Sequence, residues 1–268
     1  MPERRITDLP GDVCEDETPA QPDPERRAIL GAAIEHEDLV LRASDGTEFA
    51  AFHARASEPA GPAVVILPDV RGLHPFYEEL ALRFANAGYD AIAFDYFGRS
   101  AGVGKRPDGF EFMPHVAQCT VAGVSADVQA CVDRLRERAG QGERAVFTLG
   151  FCFGGSNSWI MAQTVHGIAG VVGMYGNPTR DQRDGSPSVI ARVQDFRVPL
   201  LGLLGGADQG ITPDAIEAFD RALTEVGIEH KLVTYPGAPH SFFDRHYEAH
   251  PEAAEDAWKR VVDFMQGG

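Results

Sequence analysis

The feature that most constrains this chain is an alternation of short, continuous apolar runs with longer segments of helical spacing. Runs at 63–67, 91–94, 145–149, 168–174, 199–204 and 230–234 have strand length. They lack the apolar–polar alternation of a half-exposed strand, as expected for strands covered on both faces. Between them, 75–87, 121–135, 156–165, 213–226 and 252–265 carry apolar residues at helical spacing. Pro75 and Pro213 stand where a first helical turn tolerates proline. Before this series, 36–41 and 49–55 flank Ser44-Asp45-Gly46, a turn signal, and predict an antiparallel hairpin. The order predicts an α/β fold: a mostly parallel central sheet with helices on both faces and an N-terminal antiparallel hairpin. Chemistry in such sheets collects at the carboxyl ends of the strands.

Residues 1–33 are rich in Pro, Glu, Asp and Arg and predict an extended or partly disordered arm, leaving 34–268 as one domain. Forty acidic residues against 24 basic ones give a net charge of −16. That field repels phosphate backbones and anionic lipid, so neither nucleic acid nor a membrane surface is an expected partner. A small anionic substrate is still compatible, because a few arginines can reverse the field inside a cleft. No run of about 18 apolar residues is present, as a membrane-spanning helix would need. Cys14, Cys119, Cys131 and Cys152 form no CxxC pair or regular framework, which fits a reduced, cytoplasmic compartment. A monomer or a homodimer is expected.

Gly150-Phe151-Cys152-Phe153-Gly154-Gly155 ends a predicted strand and precedes a predicted helix. This is the G-x-nucleophile-x-G elbow of the α/β-hydrolase fold, with cysteine at its centre. The flanking glycines let strand and helix pass closely, and the central side chain stands at a helix N-terminus, where the dipole favours a thiolate. The N–H of Phe153 can donate to an oxyanion in the same space. The alternative is a structural cysteine in a glycine-rich turn.

An acid and a histidine should follow in that order. Leu203-Leu204-Gly205-Gly206-Ala207-Asp208 ends a strand in a turn, and Tyr235-Pro236-Gly237-Ala238-Pro239-His240 follows the next strand. The pattern assigns His240 as the base and Asp208 as the residue that orients it. Asp208 could instead be only a turn residue. His36, His53 and His230 lie in or beside strands away from the carboxyl edge, and His166 ends a helix. His246 and His250 have a zinc-like spacing, but Pro251 disfavours helix there, so neither a metal nor a cofactor is expected. His74 and His115 lie near the predicted cleft. The aperiodic segment from Gly98 to Cys119 predicts a loop over the carboxyl edge. Tyr96 and Phe97 are placed at the pocket floor, with Phe110, Phe112, Trp159 and Tyr175 as candidate linings. Trp159 suits the core equally well.

Together these segments resemble the dienelactone hydrolase (carboxymethylenebutenolidase) family. The likeness runs from about Glu35 to Met265 and rests on the elbow, on Gly-Gly-Ala-Asp at 205–208, on Gly-Ala-Pro-His-Ser-Phe at 237–242, and on Leu-Pro-Asp-Val-Arg-Gly-Leu at 67–73. The resemblance implies a Cys152–Asp208–His240 triad, oxyanion donors at Val70 and Phe153, and unsaturated lactones as substrates. It also implies that Asp69, where the family prototype has Glu, gates the nucleophile. The prototype's carboxylate-binding Arg, four residues after the histidine, is replaced here by Asp244, with Arg245 beside it. Arg71, Arg99 and Arg106 are the other candidate anion ligands.

A cysteine nucleophile selects its substrates. The thiol pKa is about 8.5, so sulfur leaves a tetrahedral intermediate ahead of an ordinary alkoxide. Enol lactones, activated esters or thioesters are therefore expected rather than plain esters. Two alternatives stand beside a dienelactone hydrolase-like enzyme: a broad carboxylesterase or thioesterase, and a non-catalytic α/β-hydrolase-fold ligand receptor.

Overall fold

The computed structural model describes residues 34–57, 61–137 and 144–267. The predicted arm, with Cys14, lies outside the described residues. Eight strands form one sheet: β1 (Glu35–Arg42), β2 (Glu48–Arg55), β3 (Ala63–Leu67), β4 (Ala91–Phe94), β5 (Val146–Phe151), β6 (Ile168–Met174), β7 (Leu200–Gly205) and β8 (His230–Tyr235). Their order is β1-β2-β4-β3-β5-β6-β7-β8. The β1–β2 and β2–β4 pairings are antiparallel, and the rest are parallel. The five longer helices are α1 (Pro75–Asn86), α2 (Val121–Glu137), α3 (Phe153–Thr164), α4 (Pro213–Val226) and α5 (Pro251–Met265).

The apolar runs occupy the places predicted for them. Strands β3, β4, β5 and β7 are buried along their whole length, while the edge strand β1 alternates toward exposure. Each fully buried Val, Leu, Ile or Phe contributes roughly 1.5–3 kcal/mol, so the middle of the sheet holds the molecule together. Helices cover both faces in two sets. Phe84 of α1 meets Trp258 of α5 at 4.7 Å between ring centres. Ser125 of α2 bonds Thr164 of α3 at 2.8 Å. Trp159 belongs to the core: it is fully buried against Phe219, and its indole N–H donates to the Leu201 carbonyl at 3.2 Å.

One expectation needs correcting. The segment after β4 is not a structureless loop: it contains helical turns at Gly98–Ala101 and Met113–Val116. Neither reaches the length at which spacing becomes readable. The first is held by a distant partner, Arg99 to Asp127 at 2.7 Å, and His115 of the second lies 3.0 Å from Ser100 of the first, Nδ1 to Oγ.

Candidate active site

Strand β5 ends in Phe151 and α3 begins at Phe153, so Cys152 occupies the junction with φ 53° and ψ −110°. The crowding there shows why glycines flank it. A Cβ on Gly150 would lie 1.9 Å from the Gly154 carbonyl oxygen, and one on Gly154 would lie 2.2 Å from the Leu67 and Pro68 carbonyl oxygens. The Cys152 N–H donates to the Met174 carbonyl at 3.0 Å, which fixes the elbow to β6. As the first residue of α3, Phe153 has an N–H without an intrahelical acceptor.

Strands β7 and β8 deliver the acid and the histidine. His240 Nδ1 and Asp208 Oδ2 are 2.6 Å apart, and the Asp208 side chain is wholly buried. The other carboxylate oxygen accepts the Gly210 N–H at 2.8 Å. A Cβ on Gly205 would sit 2.6 Å from the Ala238 and Pro239 carbonyl oxygens, so β7 and the histidine loop touch through bare backbone. The non-glycine residues with positive φ among those described are Cys152, Tyr175 (38°) and Ser241 (58°). All three stand at this edge of the sheet. Each such residue stores about 1–3 kcal/mol of strain that the surrounding packing must hold.

Val70, Cys152, Phe153, Tyr175 and His240 line one cavity of about 620 Å³, its mouth included. The cavity brings together the predicted nucleophile, base and oxyanion residues, with Asp208 behind His240. The Tyr175 ring lies 4.9 Å from the His240 ring. The other described cysteines have a different setting. Burial pushes the Cys119 thiol up to about 12 and the Cys131 thiol well above its ordinary value, so both stay protonated.

The remaining candidate side chains do not line this cavity. Tyr96 is buried; its hydroxyl donates to the Pro68 carbonyl at 2.8 Å, and its ring stands edge-on to Phe153. It ties the loop after β3 to the end of β4. Phe110 stacks on His115 at 5.1 Å, and Phe112 packs, partly buried, against the core. His74 caps α1 and contacts Asp108 at 3.0 Å. Arg99 binds Asp127 at 2.7 Å and Asp45 at 2.9 Å, and Arg106 binds Asp95 at 2.8 Å. Arg71 binds Asp69 at 2.7 Å and Asp244 at 3.3 Å, while Arg245 lies 3.8 Å from Asp69. Burial pushes the Asp69 carboxyl up, but the Arg71 and Arg245 guanidiniums outweigh it and hold the group below its ordinary value.

The sequence reading missed the segment after β6. Asn177, Arg180, Asp181, Gln182 and Arg183 all line the cavity with Gly210 and Ile211, and Asn177 Nδ2 donates to the Gly210 carbonyl at 2.9 Å. This loop is ordered by its own hydrogen bonds. Asn177 Oδ1 accepts the N–H groups of Thr179 and Arg180, Asp181 accepts that of Ser188, and the Gln182 N–H donates to the Ser186 carbonyl. Its position, directly after the strand beside the nucleophile strand, was the available signal.

Residues 49–267 match the model of the dienelactone hydrolase family. A protein of Escherichia coli (strain K12), provisionally named a carboxymethylenebutenolidase, is 29% identical over 232 residues, covering 83% of this chain and 84% of that protein. One of Saccharolobus solfataricus with the same provisional name is 27% identical over 259 residues, covering 83% and 95%. Among solved structures, a provisionally named dienelactone hydrolase from Klebsiella pneumoniae superposes with a TM-score of 0.78 at 27% identity, covering 87% of this chain and 99% of its own. The dienelactone hydrolase-like promiscuous phosphotriesterase P91 superposes at 0.71 with 20% identity, a likeness of fold.

Proposed function

This chain belongs to the dienelactone hydrolase family of carboxylic ester hydrolases, and on that premise we propose that it cleaves an enol lactone or activated ester through Cys152 and an acyl-thioester intermediate. The observation that carries the proposal is a shared cavity: Cys152 at the elbow and His240 both line it, and His240 is held at 2.6 Å by a buried Asp208.

The steps follow from the groups present. His240 takes the thiol proton, and Asp208 holds the imidazole in the tautomer that can do so and stabilises its cation. The thiolate attacks the acyl carbon, and the N–H groups of Val70 and Phe153 receive the oxyanion. Collapse expels an enolate or phenolate, which takes the proton from the imidazolium. Water, deprotonated by His240, then attacks the thioester, and the thiolate leaves. The net change adds one water across the ester. Asp69 is assigned the gating role by its place in the family's motif, and Arg71 and Arg245 hold its carboxylate.

The substrate is further proposed to be anionic, because Arg180 and Arg183 sit on the wall of the cavity that holds Cys152. In a chain of net charge −16, two arginines against the one carboxylate of Asp181 leave this wall locally cationic and favour an anion over the bulk field.

Mass spectrometry of the protein quenched during turnover of an activated ester tests the proposal. The expected result is an acyl adduct on Cys152, lost in Cys152→Ala together with at least ~10³-fold of the turnover. A panel of enol lactones, p-nitrophenyl esters, acyl thioesters and phosphotriesters should favour the enol lactones. Undiminished turnover by Cys152→Ala would overturn the assignment, and an active protein acylated at another residue would relocate the site.

A further inference from the structure

The loop after β3 and the loop after β8 each contribute one acid and one arginine to a single buried cluster. Asp69 and Arg71 flank Val70 on the first, and Asp244 and Arg245 follow His240 on the second. Each arginine reaches across to the acid of the other loop: Arg71 Nη2 to Asp244 Oδ2 at 3.3 Å, and Arg245 Nη2 to Asp69 Oδ2 at 3.8 Å. Arg71 also grips Asp69 within its own loop, through Nε at 2.9 Å and Nη2 at 2.7 Å. Side-chain exposure is 2% for Asp69, 0% for Asp244, 12% for Arg71 and 6% for Arg245, so solvent screens these charges little. Two further contacts tie the cluster to its surroundings. The Asp69 N–H donates to the Tyr77 hydroxyl oxygen at 2.9 Å, and the Tyr175 hydroxyl donates to Asp244 at 2.9 Å. The Tyr175 ring then abuts His240.

The arrangement sets two carboxyl groups against two guanidiniums and bridges two loops that otherwise leave separate strands. Buried ion pairs add little net stability over an apolar replacement, but removing one partner is heavily penalised, and this suits them to fixing geometry. What these charges fix is specific: Val70 immediately precedes Arg71, and His240 lies four residues before Asp244. None of the four charged side chains lines the cavity.

We propose that the crossed Arg71–Asp244 and Arg245–Asp69 contacts set the spacing between the Val70 oxyanion donor and the His240 base, which makes Arg71 a positioning residue and not a substrate ligand. The proposal rests on the roles given above to Val70 and His240. Displacement of a reacting group by about 1 Å costs on the order of 100-fold in rate. The cluster therefore acts on kcat. A substrate ligand would act on KM.

The test is a double-mutant cycle of Arg71→Gln and Asp244→Asn, assayed with an activated ester and by hydrogen exchange. Each single variant should lower kcat about 30- to 100-fold, with KM within about threefold. The double variant should be no worse than the poorer single, because the Arg71–Asp244 contact that the two substitutions share is already broken in either. In either single variant, exchange should rise together at 68–73 and 237–246. The proposal is overturned by single variants that keep kcat, by losses that multiply in the double, by a rise in KM at unchanged kcat, or by exchange confined to one loop. If Arg71→Gln does not fold, the isosteric Asp244→Asn is judged by the same kinetic and exchange criteria. Failure of the catalytic assignment shows separately, as wild-type turnover that survives Cys152→Ala. The exchange result needs no activity and stands or falls by itself.

Discussion

Two segments leave the carboxyl edge of the sheet carrying arginines, and they set them in different places, one away from the cavity that holds Cys152 and one on its wall. After β4, the acids take guanidinium and ammonium groups: Asp95 holds Arg106, Asp127 and Asp45 hold Arg99, and Glu78 holds Lys105 at 2.7 Å. After β6, acids fix the backbone: Asp181 accepts the N–H of Ser188, and Asp184 accepts those of Val121 and Ser186. The first segment converts its charge into architecture. The second uses its acids to shape a loop and sets Arg180 and Arg183 on the cavity wall. An arginine near a carboxyl edge is therefore no evidence of anion binding unless it lines the cavity. The comparison breaks if charges after β4 alter substrate choice, or if those after β6 do not.

The largest expected effect is at Arg106. Its side chain is 8% exposed and Asp95 is fully buried, so Arg106→Leu leaves a carboxylate without its cation. Losing one partner of such a pair costs about 3–5 kcal/mol. Urea unfolding should show that loss. The kcat/KM ratio between a carboxylated and a neutral ester should stay as in the wild type. Stability unchanged to within about 1 kcal/mol, or a shifted ratio, would contradict the structural role given to this segment.

A smaller effect is expected at Asp127. Burial pushes its carboxyl up to about 6, with two hydrogen bonds from Arg99 opposing the rise incompletely. The folded state thus binds a proton more tightly than the unfolded chain, whose aspartates titrate near 3.9. Stability from this group is fully present below about pH 4 and is lost as pH rises through about 6, a span worth about 3 kcal/mol. Relative to the wild type, Asp127→Asn should gain stability across that interval by a similar amount. Chemical denaturation at pH 4, 5, 6 and 7 reads the difference. A flat difference would mean that Arg99 fully compensates the buried charge.

Much of the fold is legible in the chain because it rests on local pattern. Strand β6 lies where the apolar run 168–174 puts it, and α1 begins at Pro75 as the proline signal indicates. The elbow is legible as a motif, but its helix starts at Phe153, three residues before the apolar spacing becomes visible. Gly154 and Gly155 hide the helix start, since they are there for close approach to the carbonyls of Leu67, Pro68 and Met174 and not for helix propensity. The fate of the arginines is not legible, because it depends on contacts such as Arg71 to Asp244, 173 residues apart. The cavity wall formed by 177–183 hides for a related reason. Its Asn, Asp, Gln and Arg residues read as a solvated turn, and only the adjacency of β6 to β5 turns them toward Cys152.

The smallest effect is the one that sharpens the comparison most. Arg180→Gln and Arg183→Gln should each raise KM for a carboxylated activated ester about five- to tenfold. That matches the loss of one charge-assisted contact of about 1 kcal/mol near solvent. KM for the neutral ester and kcat for both should change by less than about twofold, because neither side chain is assigned a role in proton transfer or oxyanion binding. Salt gives an independent check. The screening length falls from about 10 Å at 0.1 M to about 3 Å at 1 M, so the wild-type preference for the charged ester should shrink with ionic strength and the variants should change less. Equal effects on both esters would reduce Arg180 and Arg183 to parts of the loop's shape. Anion recognition would then lie with another group.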